Sequence, residues 1–387
     1  MKRKIRFLLS VLILCLCPLV LTACGAPTAP THEKDITEAF GAISIYTDGA
    51  DAHVTLLPAA NGKTRVEGAL RRGRTLICEV VDGVLTVKVE DTRPWWMRII
   101  SYRSALTVYL GDSVHGNLLI NGGTGDVTVG EGLSFGDIAI DISTGDVSLS
   151  KVFANTLAVE TSTGDVSLSD VSIYGGVAVT QSTGKTEIGG LSAETIEIKG
   201  STGKMNLTDV TALGAVSLVR STGDTTVSRM VAATLTAEAD TGDISFTDLT
   251  AMGAVAVTTT TGNSKYLGLS TASFTATAGT GTVSLADATV TGDGYIKTST
   301  GHITLSDTLF GGTVTVRAST GDVALDRADA AELDVETSTG SVKGTLRSEK
   351  VFIVRSSSGR INAPETTSGG KCKVVTSTGN IELSIVE

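Results

Sequence analysis

Residues 157–169 read LAVETSTGDVSLS, and variants of this segment return along most of the chain. Its central glycine, Gly164, belongs to a series with a spacing of 19 or 20 residues. The series has fourteen members: Gly125, Gly145, Gly164, Gly184, Gly203, Gly223, Gly242, Gly262, Gly281, Gly301, Gly321, Gly340, Gly359 and Gly379. A fixed period of this size indicates stacked supersecondary units, each of which contacts only its neighbours.

Apolar residues alternate with polar ones on both sides of each glycine, as at Leu157 and Val159 before Gly164 and at Val166 and Leu168 after it. A period of two predicts strands that are buried on one face. One unit cannot hide its apolar face alone, whereas stacking at roughly 4.8 Å per coil joins the inward residues into continuous ladders. The sequence therefore predicts an all-β, single-stranded β-solenoid (β-helix) of about 14 regular coils. Glycine suits a corner that needs a positive φ.

The N-terminal segment has the pattern of an export signal. A basic start is followed by an apolar run from Phe7 to Leu21 and then by Leu-Thr-Ala-Cys, residues 21–24. This ending resembles the bacterial lipobox, and the resemblance implies that Cys24 is lipidated. We predict a lipoprotein signal peptide over residues 1–23, a flexible tether over 24–35, and a mature chain held to the membrane on its extracytoplasmic side. The alternative is an ordinary cleaved signal whose end contains a cysteine.

Two cysteines, Cys78 and Cys372, remain after Cys24 and the signal segment are set aside. A rod holds them too far apart for a disulfide. Cys372 occupies an inward position of its repeat, so we expect it to be a small buried hydrophobe. Neither residue has the spacing of a metal ligand set.

Residues 36–120 contain short alternating strands without the regular period, and residues 121–387 carry the regular repeats. Solenoids need an atypical terminal unit to remain soluble. We therefore predict that residues 36–120 form irregular β coils that cap the N-terminal end of the rod, with no firm domain boundary near residue 120.

The sequence as a whole resembles a bacterial family of unknown function called "putative adhesin". The resemblance covers roughly residues 36–387 and rests on the early Ile-x-Ile strand at 43–45, the segments GVLTV at 83–87 and LTVYL at 106–110, and the STGDV repeats. It implies an exported or anchored β-solenoid. It implies no defined activity, because a shared fold is weak evidence for a shared function.

Aspartates follow several corner glycines, and Asp126, Asp146 and Asp165 do so in successive copies. A stacked column of carboxylates offers some of the oxygen ligands that Ca²⁺ requires. Lys185 and Lys204 interrupt the column, and an exposed carboxylate ladder survives without an ion. We favour solvated turn carboxylates over a calcium site, and we expect no metal and no cofactor. The outward hydroxyls of the strand after each corner fit ordinary solvent-facing strand chemistry.

Trp95 and Trp96 form the one aromatic cluster of the sequence, flanked by Arg93 and Arg98. Tryptophan beside arginine suits a membrane interface or a protein partner. The alternative is a loop that folds its indoles over the end of the apolar stack. Both readings stay open at the level of the sequence.

The four histidines are scattered, and no nucleophile with a base or phosphate-binding loop can be assembled around them. The chain carries a net charge of −10, which disfavours nucleic acid as a partner.

The leading hypothesis is a non-enzymatic, lipid-anchored adhesin or envelope module that binds a surface polysaccharide or protein. One alternative is an envelope-stress sensor or scaffold that contacts a membrane protein through Trp95 and Trp96, and a second is a polysaccharide-active β-helix enzyme. An unprotected last coil at residues 385–387 would also favour end-to-end self-association.

Overall fold

The computed structural model describes residues 31–47, 50–94, 103–112 and 114–386. All regular structure in these ranges is β, and the strands join one 34-stranded hydrogen-bonded network. Within the same ranges no helix is long and apolar enough to cross a membrane. The predicted β-solenoid is confirmed, because successive repeats pair in parallel through most of the chain.

The N-terminal strands are β1 (Thr31–Asp35), β2 (Ala42–Thr47), β3 (Ala52–Pro58), β4 (Arg65–Ala69), β5 (Arg74–Val81), β6 (Val84–Asp91), β7 (Ser104–Leu110), β8 (Leu118–Thr124) and β9 (Val127–Val129). The regular coils begin with β10 (Asp137–Thr144), β11 (Val147–Ser150), β12 (Phe153–Ala154), β13 (Thr156–Thr163), β14 (Val166–Ile173), β15 (Gly176–Thr183), β16 (Thr186–Ala193), β17 (Thr195–Thr202) and β18 (Met205–Ala212).

They continue with β19 (Ala215–Thr222), β20 (Thr225–Ala232), β21 (Thr234–Thr241), β22 (Ile244–Ala251), β23 (Ala254–Thr261), β24 (Ser264–Thr271), β25 (Ser273–Thr280), β26 (Val283–Val290), β27 (Gly294–Thr300), β28 (Ile303–Thr320) and β29 (Val323–Thr339). The final strands are β30 (Val342–Leu346), β31 (Lys350–Ser356), β32 (Ile361–Asn362), β33 (Gly370–Thr376) and β34 (Ile381–Ile385).

Each regular coil has three faces, as the coil of β13 and β14 illustrates. The strand before the corner glycine forms the first face. The strand after it bends at Asp170, whose φ is 53°, in the left-handed region. The part of β14 before this bend forms the second face, and the part after it, Val171–Ile173, forms the third face. The third face was not predicted, because its short apolar segment is separated from the second face by a charged residue.

The corner tripeptides lie directly over one another. Thr163, for example, pairs with Thr144 in the coil before it and with Thr183 in the coil after it. Inward residues of all three faces, such as Leu157, Val166 and Val171, are buried in one continuous hydrophobic cluster. The register thus produces the shared apolar interior that the repeat predicts.

The corner glycines are required for two reasons. Gly164 has a φ of 143°, which residues with a side chain rarely adopt. In addition, a Cβ on Gly164 would lie 1.8 Å from the carbonyl oxygen of Gly145 in the coil before it. Consecutive coils are therefore held so closely at this corner that any side chain would force them apart.

At the N-terminal end the coils do not stack in the order of the chain. The β2–β3 coil contacts the β8–β9 coil, which precedes the first regular coil, through pairs β2–β8 and β3–β9, and the later β6–β7 coil lies outside it. Strands β4 and β5 then pair antiparallel with β7 and β6 and cover this outer coil. These antiparallel strands lie at the N-terminal end of the rod.

Strand β1 corrects one expected boundary. Thr31–Asp35 end the segment that was predicted to be a flexible tether, yet they form a strand antiparallel to β4. All five side chains are exposed, so the strand is held by backbone pairing and by ion pairs such as that of Arg65 with Asp35. The sequence pattern did not predict this strand, because its residues are mostly polar and none of its side chains is buried.

The C-terminal end is also stacked out of order. Strands β33 and β34 pair with β29 and β30 on one side and with β31 and β32 on the other. The outermost coil of the rod is therefore β31–β32, and the last residues of the chain fill the layer beneath it. The expectation that the coil ending at residues 385–387 is the outermost one is wrong.

Cys78 and Cys372 are both buried free thiols, which confirms the expectation for Cys372. Burial raises the pKa of Cys78 to about 11 and that of Cys372 to about 12. Both side chains therefore pack as small neutral hydrophobes.

Candidate binding surfaces

The aspartates after the corner glycines form an exposed column along the rod. Asp126 Oδ1 accepts a hydrogen bond from the backbone N–H of Asp146 at 3.0 Å, and Asp146 Oδ1 accepts one from the N–H of Asp165 at 2.7 Å. Asp165 Oδ1 continues the series to the N–H of Lys185 at 2.7 Å. Each carboxylate thus caps the corner of the following coil, a role that the sequence analysis missed.

The carboxylates of this column are engaged by protein groups. No group of three or more His, Cys, Asp or Glu side chains that could hold a metal occurs in the described ranges. Asp126, at the start of the column, also lies 2.9 Å from Nδ1 of His53. Carboxylate oxygens engaged with backbone N–H groups are explained by the stacking of the corners alone.

A second column of charges follows the left-handed bends between the second and third faces. Here the two oxygens of Asp209 accept hydrogen bonds from Nε and Nη2 of Arg229, at 2.6 and 2.7 Å. The hydrogen bond from Arg229 lowers the pKa of Asp209. Arg327 binds Asp307 in the same way. These exposed pairs link neighbouring coils, and they leave the adjoining third face without charges of its own.

The outward residues of the third face form an uncharged ladder in strict register over nine coils. Its members are Phe153, Ser172, Ser192, Thr211, Val231, Thr250, Ser270, Thr289 and Leu309. At about 4.8 Å per coil the ladder is roughly 38 Å long. It ends at Asp329, which pairs with Leu309.

Large apolar side chains stand at the corner next to this ladder. Tyr174, Leu213 and Met252 are 89%, 73% and 70% exposed. They lie on alternate coils, about 9.6 Å apart, because only every second coil carries an extra residue at this corner. Their backbone N–H groups are bonded to the preceding coils, Tyr174 to the carbonyl of Ala154 at 2.9 Å. The ladder and these three residues together are called the apolar face below.

A buried polar cluster lies at the N-terminal cap. Arg74 donates from Nη1 to the hydroxyl of Ser104 at 2.6 Å and to the carbonyl of Asp51 at 2.8 Å. Asp91 accepts from Nη2 of Arg93 at 2.6 Å. Hydrogen bonding from Arg93 is the main cause that lowers the pKa of Asp91. The cluster joins strands β5, β6 and β7, and its central residues Arg74 and Asp91 are buried, which fits a structural role.

Three sequence-predicted sites lie outside the described residues: Cys24, Trp95 and Trp96. Lipidation and a membrane or partner contact at these positions stay predictions. The apolar face was missed because its residues occur singly, one in each or every second repeat. An alignment of the repeats on Gly164 and its counterparts is the signal that could have found it.

The fold defines a class, that of repetitive parallel β-solenoids. The chain belongs to the Toastrack DUF4097 family, whose model matches residues 40–212, 193–309 and 272–387. The expected resemblance is confirmed, and the family has no established function. No curated protein matches the sequence.

Solved structures with a similar fold include a "putative adhesin" from Bacteroides fragilis, with 16% identity, 62% of this chain and 98% of that chain covered, and a TM-score of 0.36. A "putative adhesin" from Parabacteroides merdae has 12% identity, coverages of 83% and 96%, and a TM-score of 0.22. A "putative lipid binding protein" from Parabacteroides distasonis has 13% identity, coverages of 92% and 97%, and a TM-score of 0.16. Likenesses this distant carry no argument about function.

Proposed function

We propose that the protein is a non-enzymatic adhesion or envelope-binding rod, anchored through Cys24 on the extracytoplasmic side of the membrane, and that it binds its ligand through the apolar face. The observation that carries this proposal is the exposure of Tyr174, Leu213 and Met252 along a rigid, uncharged ladder. Monomeric proteins rarely expose apolar side chains in a contiguous array, and such arrays mark interaction sites.

The chemistry of the face favours an extended ligand. Three Ser or Thr residues separate the apolar members Phe153, Val231 and Leu309 of the ladder, so a polymer with both polar and apolar surfaces can contact several coils at once. Aromatic and apolar side chains stack on the apolar faces of sugar rings or on apolar residues of a protein. The absence of charge on the nine ladder residues removes the desolvation cost that charged side chains would impose.

A non-enzymatic role is supported by how the carboxylates are engaged. Several acids along the rod have structural partners: Asp146 caps the corner of the following coil, and Asp209 pairs with Arg229 of the neighbouring coil. These contacts hold the coils together and account for the carboxylates without a catalytic role.

The test of the apolar face is a triple variant, Tyr174→Ser, Leu213→Ser and Met252→Ser, compared with the wild type on glycan and matrix-protein arrays. Each side chain is exposed, so the variant should keep its thermal midpoint within the range of surface substitutions. Loss of three anchor side chains should weaken binding at least about tenfold. The matched control is Tyr295→Ser, which removes an exposed aromatic from the first face.

Unchanged binding by the triple variant would contradict the assignment of the face, and turnover of a polysaccharide by the wild type would contradict the non-enzymatic role.

The lipid anchor at Cys24 is tested separately. Cells grown with labelled fatty acid should label the wild-type protein, and Cys24→Ser should abolish the label. A label that survives this substitution would contradict the anchor.

A further inference from the structure

The two ends of the rod differ in how they close the apolar interior. At the N-terminal end the outermost parallel coil, β6–β7, has fully buried inward residues such as Leu85 and Val108. The antiparallel strands β4 and β5 cover them, and Val66 and Cys78 of these strands are buried in turn. Beyond them lies β1, a polar strand that protects the edge. This end is a complete cap.

At the C-terminal end the interior is open. Phe352 and Val354 of β31 occupy the same inward columns but are only partly buried, and Ile361 of β32 is 46% exposed. These three residues line a depression of about 610 Å³ together with residues 362–367. The return segment crosses only one side of this end, where the hydroxyl of Thr366 donates to the carbonyl of Lys350.

Strand β31 also has a free edge. It pairs with β33 over seven residues, Lys350–Ser356, and no other strand of the described chain pairs with it. Its outward side chains include Val351 and the 50% exposed Ile353. The edge is seven residues long, has apolar side chains on both faces and contains no proline, and its one inward charge, Lys350, is neutralised by Asp329. Such an edge is a template for another strand.

The sequence of β31, KVFIVRS, is complementary to itself in the antiparallel direction. If Ile353 lies opposite Ile353 of a second copy, Phe352 lies opposite Val354 and Val351 lies opposite Arg355. Inward apolar residues then meet inward apolar residues, and no like charges stand opposite each other. Lys350 lies opposite Ser356, and its amino group is already paired with Asp329 at 2.7 Å.

We propose that the C-terminal end binds a second copy of this chain, through antiparallel pairing of the two β31 strands about a two-fold axis at Ile353. Such an interface is isologous and closes at a dimer. The paired strand is about 23 Å long, so the contact is small beside the roughly 1,600 Å² of a standard specific interface. The dimer should therefore be weak and reversible.

The dimer is collinear, with the two N-terminal ends at opposite tips. This part of the inference rests on the proposed function: if Cys24 anchors the rod, the two anchors of one dimer lie in different membranes. The second copy is then itself an adhesion partner, and binding is homophilic between cells. Dimerisation in solution does not depend on the anchor or on the apolar face.

The first test is the size and shape of the purified protein as a function of concentration, by sedimentation and small-angle X-ray scattering. We expect a dimer of about twice the monomer length whose fraction rises with protein concentration, because a contact this small gives a reversible dimer. Ile353→Lys places two ammonium groups opposite each other and should abolish the dimer. Val231→Lys changes an equally outward apolar residue in the middle of the rod and should not.

The second test fixes the register. Opposite residues of an antiparallel pair lie within the Cα separation of a disulfide. Ile353→Cys should therefore form an intermolecular disulfide on oxidation, whereas Val351→Cys, which lies opposite Arg355, should not. Both native thiols described here, Cys78 and Cys372, are buried and do not compete.

A protein that remains monomeric, a dimer of unchanged length, or a dimer that Ile353→Lys leaves intact would overturn the inference. Binding of the apolar face to a glycan or matrix ligand would stand in each of these cases. Conversely, a dimer that forms while the triple variant of the apolar face binds like the wild type would contradict the proposed binding face alone.

Discussion

Arg220 is buried in the interior of the rod without an acidic partner, and its removal should stabilise the protein. Its side chain is 1% exposed and points inward on the first face, where the neighbouring coils carry Gly200 and Ala239. The guanidinium fills the space that Gly200 leaves, since a Cβ on Gly200 would lie 2.0 Å from Nη1. Burial lowers the pKa of Arg220.

The expected gain follows from the hydrogen bonds. Nη2 of Arg220 donates to Thr186 Oγ1 at 3.0 Å, while Nε and Nη1 have no partner. Each of the two unsatisfied buried donors costs about 1–3 kcal/mol, and the one charged hydrogen bond that is lost contributes about 1.5–3 kcal/mol. Thr186 keeps a second bond, to Gln181 at 2.8 Å. Arg220→Met, which preserves length and removes charge, should raise the free energy of unfolding by about 2 kcal/mol.

Urea unfolding followed by circular dichroism measures this change, and hydrogen exchange of the coils around residue 220 localises it. Arg317→Met is the matched control, because Arg317 is partly exposed and pairs with Asp334 at 2.7 Å. The free energy of unfolding of this control variant should fall by up to about 1 kcal/mol. If Arg220→Met instead lowers the free energy of unfolding by more than about 1 kcal/mol, the reasoning is refuted. That result would mean that all donors of the guanidinium have hydrogen-bond partners in solution.

Three further predictions concern the corners and the cap. Gly164→Ala should lower the free energy of unfolding, measured in urea, by at least about 3 kcal/mol, because of backbone strain and the clash with the preceding coil. Gly189→Ala is the control, since a Cβ at Gly189 meets nothing within 4 Å. Equal losses of stability in the two variants would contradict the role of the corner glycine. Asp146→Ala should lower the free energy of unfolding by about 1 kcal/mol, whereas Asp146→Asn should leave it almost unchanged, because the amide oxygen still accepts the N–H bond. Thermal unfolding of the wild type should have the same midpoint in Ca²⁺ and in chelator. The lowered pKa of Asp91 means that its contribution is present above its ordinary range and is lost as the pH falls through its folded value. Asp91→Asn should therefore flatten the acid limb of stability against pH, and an unchanged limb would contradict this.

Much of the rod could be predicted because its determinants are local. The alternation around Gly164 identifies Leu157, Val159, Val166 and Leu168 as inward residues, and the structure buries all four. The glycine itself marks a corner, because few other residues tolerate its φ. Repetition then supplies the register, since only one alignment stacks every corner on the next.

The bend at Asp170 escaped prediction because a residue other than glycine occupies the left-handed region there. Aspartate is one of the few residues that adopt this conformation at low cost. Glycine occurs at the same point of two other repeats, at Gly190 and Gly268, both with positive φ. Reading aspartate and glycine as equivalents at this position would have revealed the third face and, with it, the apolar face.

The order of the terminal coils could not be predicted, because it depends on contacts between distant segments. The apolar patterns of β31 and β33 are alike, and each fits the column above β29. In the folded rod, β31 has one side uncovered, whereas β33 is paired on both sides. No pattern in the sequence assigns these two positions. The polar outermost strand β1 likewise has no pattern that marks it as part of the fold.

The inserted position of β33 and β34 has a consequence for how the protein is made. A chain that emerges amino end first can add most layers as they appear, but residues 350–362 have no layer to pair with until β33 and β34 have been synthesised. Strands β31 and β32 must therefore wait for strands that follow them in the sequence. Proteolytic removal of β33 and β34 would likewise leave β31 and β32 without a partner layer, so two layers would be lost together.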